Sequence, residues 1–505
     1  MTSPPSIRRN IIANFAGKGW TAIISIVFVP LYIKFLGIES YGLIGVYISL
    51  IGLLSILDLG LSSTVSRELA RLSAVPGNEQ ESRELVRTME IIYWGIGILI
   101  AIGILACAPK IAQKWLNTKG ISVGTVEKAL EVMGIVVAFE WPAAFYTGGL
   151  MGLQRQVLFN VVRTGMATVQ AVGAVLVLWL ISPTIEAYFK WQILVSVSQT
   201  CLLGACLWSS LPETGVKSSF NKSLLEKHWK FAAGMTGISV VATILTQLDK
   251  IVLSKLLSLE MFGYYILAFN VANALNLLVH PVFAALFPKF SQLVAEGKEL
   301  ELSALYHRGC QFLSVVVFPV AITAIFYSRE ILLLWINDPG TVRNTHLLMS
   351  LLLTGTLLNS IMILPYTLQL SYGWTKLSFY KNLIAVIILV PLLIVLVTTY
   401  GSVGAAIIWI LLNAGYFLIE IPFMHSRIFK DQMWQWYLSD VGSPLIAVFV
   451  IVLFSRLLFP SNASLSSSTL WVFSTFTLSL LFSFLLFSHT REWLKQEFSR
   501  YLTVI

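Results

Sequence analysis

The chain has 505 residues, of which 57% are apolar and only 12% charged, with a formal net charge of +9 and a mean hydropathy of +0.80. A soluble domain carries roughly 25% charged residues, so this composition cannot cover a water-facing globule. It excludes a soluble enzyme, and the surplus cations belong to loops that set topology, not to a nucleic-acid surface.

A membrane span takes about 20 mostly apolar residues. Runs of this kind predict an all-α polytopic membrane protein of about 14 transmembrane helices, near 11–33, 41–64, 89–108, 129–150, 159–181, 188–210, 232–255, 263–287, 309–327, 346–370, 383–399, 404–424, 441–459 and 468–488. The first run contains Lys18 and has no small-residue cleavage pattern, so it reads as a retained helix, not a signal peptide. With the N-terminus in the cytoplasm, the segments on that side hold most of the 34 Lys and Arg, among them Arg8, Arg9, Arg67, Arg71, Arg83, Arg87, Lys217 and Lys222. This is the positive-inside bias, and an even number of spans leaves both termini inside. Cys107, Cys201, Cys206 and Cys310 all fall in apolar runs and read as small buried hydrophobes. The tail from His489 alternates aromatic and cationic residues, as segments lying on an anionic leaflet do. Asn462 opens a glycosylation sequon to which no role is attached.

The chain repeats itself. Lys34–Val46 (KFLGIESYGLIGV) is answered by Lys255–Leu267 (KLLSLEMFGYYIL), with Lys34, Leu36, Glu39 and Gly42 recurring 221 residues on as Lys255, Leu257, Glu260 and Gly263. The same offset pairs Arg87 with Arg308, Gly152 with Gly373 and Phe159 with Tyr380. A fixed offset held over such a distance marks a duplicated unit. Two six-helix pseudo-repeat bundles follow, 1–210 and 232–424, joined by a cytoplasmic linker at 211–231. Residues 425–505 carry the accessory helices 13–14 and the tail. KWLN at Lys114–Asn117 and LWIN at Leu334–Asn337 predict an interfacial turn after spans 3 and 9. Parallel repeats of this kind occur in transporters whose substrate site lies between the halves.

Ionisable side chains at membrane depth are costly and mark function by default. Asn14, Lys18, Thr21 and Ser25 share one face of span 1, with Lys18 about 10 Å along the helix from its start. The stripe faces a wet interior, unless Lys18 snorkels to the surface. Asp58, with Ser55 and Ser62, either pairs with a cavity cation or anchors a helix end, and Arg67 follows it. Glu140 lies mid-span ahead of Trp141-Pro142, where a proline frees a carbonyl and kinks the helix. That position suits an ion-coupling carboxylate or a counter-charge to Lys18. Arg163 is a cavity cation or an interfacial anchor. Asp249 and Lys250, near the outer end of span 7, form a gate or an interfacial charge pair. Arg456 meets a lipid phosphate or snorkels. Asn273, Asn276 and His280 read as packing residues, and no metal is inferred from them. No metalloprotease, Walker, nucleophile-elbow or DxD motif is present, so transport would be driven by a gradient, substrate supply or membrane potential.

The opening RRNIIANFAGKGWTAIISIVFVPLYIKFLGIESYGLIGVYISL, the following LDLGLSSTVSRELA, GLMGLQRQVLFNVVRTG, and TQLDKIVLSKLLSLEMFGYYILAFNVANAL resemble the polysaccharide flippases of the MOP exporter superfamily, the Wzx-like O-antigen and exopolysaccharide transporters. The resemblance covers roughly 1–430. It implies a MOP/MATE-like fold in a bacterial inner membrane that moves an undecaprenyl-pyrophosphate-linked oligosaccharide to the periplasmic leaflet by alternating access. Lys18, Arg163 and Arg67 would neutralise the pyrophosphate, with Asn14 and Ser25 in the same cavity and Glu140, Asp58, Asp249 and Lys250 in ion coupling or gating. No cofactor is implied beyond H⁺ or Na⁺ coupling. The expected partners are the lipid-linked oligosaccharide, membrane lipids and the polysaccharide polymerase and chain-length machinery, with no nucleic acid. Fourteen spans also resemble the lipid II flippases. A MATE-like antiporter of cationic drugs and a membrane-embedded polymerase are the readings from other classes.

Overall fold

The computed structural model describes residues 7–58, 60–460 and 464–486. The sequon at Asn462 and the tail from His489 lie outside them. Among the described residues helix is the one regular structure, apart from an isolated bridge between Asn117 and Ser258.

In chain order the helices are α1 (Ile7–Val27), α2 (Val29–Leu54), α3 (Leu61–Ser73), α4 (Glu79–Lys110), α5 (Val123–Gly152), α6 (Gln156–Leu180) and α7 (Ile185–Ser210). Then come α8 (Lys222–Leu256), α9 (Leu259–Asn273), α10 (Asn276–Ala295), α11 (Glu299–Phe326), α12 (Ser328–Ile336), α13 (Pro339–Ile361) and α14 (Ile363–Ser371). The chain closes with α15 (Thr375–Tyr400), α16 (Ser402–Gly415), α17 (Ile421–His425), α18 (Met433–Gln435), α19 (Ser443–Leu457) and α20 (Leu465–Leu486). Twelve helical stretches among the described residues are long and apolar enough to cross a membrane. The polar α1 and α8, at the positions of the first and seventh predicted spans, are continuous helices but not among those twelve. This is a multi-pass membrane protein.

The chain divides into two compact units, Met1–Gly263 and Tyr264–Ile505. The division falls after α8, later than the predicted linker, for two reasons. Residues 211–221 are strapped onto the start of α4: Arg83 donates to the Pro212 carbonyl (3.0 Å), the Asn221 amide to Thr88 (2.9 Å), and the Asn221 side chain to Glu84 (2.9 Å). In addition, α8 packs on α2, α3 and α4, with Gln247 filling the space beside Gly52.

The repeated motif forms the corner that holds the first unit together. In the first copy α2 breaks at Gly37, whose φ of +78° is the left-handed region that glycine occupies at little cost. In the second copy the break falls between α8 and α9. The two corners then pack on each other through the glycines that the repeat shares. A Cβ on Gly42 would sit 2.4 Å from the Leu259 carbonyl oxygen, and one on Gly263 would sit 2.3 Å from that of Ile38. The 116–120 loop closes over the pair. The Glu39 carboxylate accepts the amides of Lys119 and Gly120, both at 2.8 Å, and the Leu259 amide donates to the Asn117 carbonyl (2.8 Å). Lys255 adds a bond to the Lys114 carbonyl, and Trp115 donates to Ser254 at 3.0 Å. The expected turns after spans 3 and 9 are a π-helical turn at Ile111–Trp115 and the nine-residue α12.

The second unit has its own core, in which Phe290, Tyr306, Phe318, Tyr327 and Trp436 are almost fully buried. Helices α19 and α20 pack on α11, and a buried pair, His307 on α11 with Asp440 beyond α18, fixes the contact. Gln432 accepts from His307 (2.9 Å) and Ser303 (2.7 Å) at the same place. Arg456, read as facing lipid, instead pairs with the largely buried Glu330 at 2.8 Å. Its guanidinium also lies 5.1 Å from the Tyr327 ring. Among the cysteines only Cys310 is buried in the protein; Cys107 and Cys201 face outward from their helices.

The glycine corners yield a prediction of opposite signs. Gly42→Ala and Gly263→Ala each force a carbonyl aside and should cost about 1–3 kcal/mol as overpacking does. Gly95→Ala and Gly103→Ala, where nothing lies within reach of a Cβ, should hold or raise stability through helix propensity. Thermal unfolding of the four variants in detergent measures the contrast.

Candidate functional site

The first unit contains two adjoining cavities of about 660 and 560 Å³ that share Ser62, Ala144 and Thr147. Together they make one cleft between α3, α5 and the start of α6. The shallower part is lined by Ser62, Ser63, Ser66, Arg67, Thr147, Gln154 and Gln156. The deeper part adds Ser55, Asp58, Glu140, Trp141, Arg163 and Gln199.

Small residues set the wall. Gly148 and Gly152, four apart on α5, lie against Ser62 and Ser66, four apart on α3. A Cβ on either glycine would come within 2.5 or 2.3 Å of a serine carbonyl oxygen. This is the small-residue packing by which membrane helices approach closely. With the backbone side of α3 pressed on α5, the side chains of Ser63 and Arg67 line the open face. Arg67 also lies 4.0 Å from the buried Glu68, which Arg71 holds at 2.8 Å.

Pro142 explains the shape of the deeper wall. Its ring removes the amide that would bond the Ala138 carbonyl, and α4 presents Gly97 to that oxygen, where a Cβ would be 2.8 Å away. The next carbonyl, of Phe139, accepts a 2.6 Å bond from Thr200 of α7. Thr200 thus ties this turn of α5 to α7, and Glu140, two residues before Pro142, lines the cleft. The buried Tyr47 hydroxyl lies beside Glu140. Asp58 ends the short 3-10 turn Ser55–Asp58 and accepts from Tyr93 (2.5 Å) and Ser62 (2.7 Å).

The structure therefore brings Arg67, Arg163, Asp58 and Glu140 to one cleft. The Arg163 guanidinium lies 5.7 Å from the Phe159 ring. Formal charge in the cleft is balanced, where the sequence suggested a positive bias. The first cavity carries Arg67 alone, while both carboxylates line the second with Arg163, each carboxylate beside a tyrosine hydroxyl. Asn14 joins the edge through a polar ladder, donating to Gln156 and accepting from Asn160, both at 2.6 Å. Lys18 and Ser25 are exposed on α1 and are not among the residues lining the two cavities. Ser25 is bonded to its own helix at Ala22. Asp249 and Lys250 form an ion pair (3.2 Å) on α8, with Lys250 buried and donating to the Thr246 carbonyl.

Sequence reasoning did not single out Glu90 or Lys381. Glu90 accepts from Tyr146 (2.7 Å), Trp208 (3.1 Å) and Arg87 (2.7 Å), pinning α4, α5 and α7. It sits at a span boundary among basic residues, so nothing in the local pattern sets it apart. Glu420 is buried and bonded to Lys381 (2.6 Å) and Gln369 (2.8 Å).

The sequence pattern of the polysaccharide biosynthesis protein family matches residues 7–294, more than half of the chain. The chain belongs to that family. It is 21% identical over 405 residues to a putative O-antigen transporter of Shigella flexneri, covering 80% of this chain and 94% of the relative. Among solved structures it is similar in fold to the lipid II flippase MurJ in an inward closed conformation (TM-score 0.70, 14% identity, 94% of this chain and 98% of that one). It is also similar to an inward-facing MATE multidrug transporter of the MOP superfamily (TM-score 0.62, 14% identity, 86% and 97%). The MOP/MATE-like helical fold expected from the resemblance is the fold observed.

Cysteine labelling tests the cleft. Ser63→Cys and Thr147→Cys should react with a hydrophilic maleimide in the membrane, whereas Leu150→Cys, on a fully buried face of α5, should stay unlabelled. Mass shift after labelling reports the result.

Proposed function

We propose that the protein is a polysaccharide flippase that carries a lipid-linked oligosaccharide across a bacterial inner membrane, both termini in the cytoplasm, by alternating access. The observation that carries this reading is the cleft of the first unit. It is walled by hydroxyl and amide side chains with an arginine at its shallow end, in a multi-pass chain of the polysaccharide biosynthesis family. A glycan cannot cross hydrocarbon unaided, because each unpaired polar group there costs several kcal/mol. The lipid chain, by contrast, never has to leave the bilayer.

The cleft supplies what such a cargo needs. Ser62, Ser63, Ser66, Thr147, Gln154 and Gln156 exchange hydrogen bonds with sugar hydroxyls. Arg67 and Arg163 bind the undecaprenyl-linked pyrophosphate through charge-assisted bonds, the strong kind. Glu140 and Asp58, deeper in the cleft, take up and release the coupling H⁺ or Na⁺. The glycine corners, locked to the 116–120 loop, form the gate on the far side, and their opening releases the cargo.

Three variants test this. Arg67→Ala and Arg163→Ala should each reduce surface polysaccharide about tenfold or more at normal protein level, with the lipid-linked oligosaccharide accumulating on the cytoplasmic leaflet. Each removes a charge-assisted bond worth roughly 1.5–3 kcal/mol. Wild-type polysaccharide in both would remove the arginines from the path. Glu140→Gln should abolish the response of transport to an imposed pH or Na⁺ gradient in proteoliposomes; an unchanged response would exclude Glu140 from coupling.

A further inference from the structure

The second unit has a cavity of a different kind. A groove of about 710 Å³ runs between α15 and α16, floored by aliphatic side chains such as Ile384, Ile388 and Leu411, all of them strongly exposed. One end differs from the rest, since Lys376, Lys381 and Arg427 gather there against the single carboxylate of Glu420.

These cations do not have the same task. Lys381 is taken up internally: it donates to both oxygens of Glu420 (2.6 and 2.7 Å) and lies 4.5 Å from the Tyr416 ring centroid. Arg427 is exposed but held in place, its guanidinium 4.8 Å from the Trp374 ring and 5.5 Å from that of Phe423. Stacking fixes the plane of a guanidinium and leaves its edge donors free for a phosphate. Lys376 stands exposed in the first turn of α15. The groove end thus presents two outward cations over an internally neutralised pair.

Length decides the occupant. From Lys376 to Leu389 the groove follows α15 for about 20 Å at 1.5 Å per residue. One leaflet is about half of the ~30 Å hydrocarbon core. The groove therefore suits one ordinary acyl chain and is too short for an extended polyprenyl chain.

We propose that this groove is a binding site for an anionic glycerophospholipid of the surrounding bilayer, one acyl chain lying between α15 and α16 and the phosphate held by Lys376 and Arg427. The site is separate from the cleft of the first unit and does not depend on the cargo assigned to that cleft. Anionic headgroups gain about 1 kcal/mol per nearby cation, which is about five-fold in affinity for each.

Native mass spectrometry of the full-length protein in detergent, titrated with dioleoyl-phosphatidylglycerol or dioleoyl-phosphatidylcholine, tests it. The wild type should retain phosphatidylglycerol at least five-fold more tightly than phosphatidylcholine. Lys376→Gln with Arg427→Gln should bring the two lipids to equal retention, and Ile388→Trp, which fills the groove without touching the cations, should lose both. Equal retention of the two lipids by the wild type overturns the proposal, as does retention unchanged in both variants. Displacement of phosphatidylglycerol from the wild type by equimolar undecaprenyl phosphate overturns the proposal and assigns the groove to the polyprenyl carrier instead.

Discussion

Two backbone carbonyls seated against two glycines hold the first unit in its observed form. Gly42 and Gly263 are the same position in the two copies of the repeat, and each presses on the corner of the other copy, at Leu259 and Ile38. No side chain larger than hydrogen fits at either place. The contact lets the loop at 116–120 close over both corners and cap the Glu39 carboxylate with two amides. It also explains why α8 belongs by contact to the first unit, although its end carries the second copy of the motif.

The cleft depends on a second economy of backbone. Pro142 costs α5 a hydrogen bond inside a bilayer, where water is not at hand to replace it. Gly97 and Thr200, from helices on either side, attend to the carbonyls at 138 and 139. The proline turn is therefore part of the packed wall, and Glu140 lines the cleft two residues before it. Charged groups elsewhere follow the same logic. Glu90, Glu330, Glu420 and Asp440 each meet a partner on another segment, as ions at membrane depth must.

Much of this architecture was legible in the residues. Apolar runs located the helices, and the repeat located the corners, because Gly42 and Gly263 stand at matching places for one shared reason. Asp58, Glu140, Arg67 and Arg163 were each readable as unusual, and all four line the cleft. Lys18 was readable as unusual too, yet it stands outside the cavity lining. Helical spacing defines a face but not which neighbour that face meets, and here Asn14 meets α6 through Gln156 and Asn160 while Lys18 and Ser25 stand exposed. Pairings such as His307 with Asp440 or Arg456 with Glu330 join segments more than a hundred residues apart. No local pattern encodes them. The turn after α5 and α14 shows how far the repeat has drifted: the left-handed residue is Gln154 in one copy and Gly373 in the other, two places out of the sequence register.

The glycine ridge of α5 has a mechanical corollary. With Gly148 and Gly152 seated on the Ser62 and Ser66 carbonyls, α3 and α5 have no room to slide or roll against each other without a clash. They are packed as one plate. At the plate's margins the backbone turns through the left-handed region, at Gly60 before α3 and Gln154 after α5.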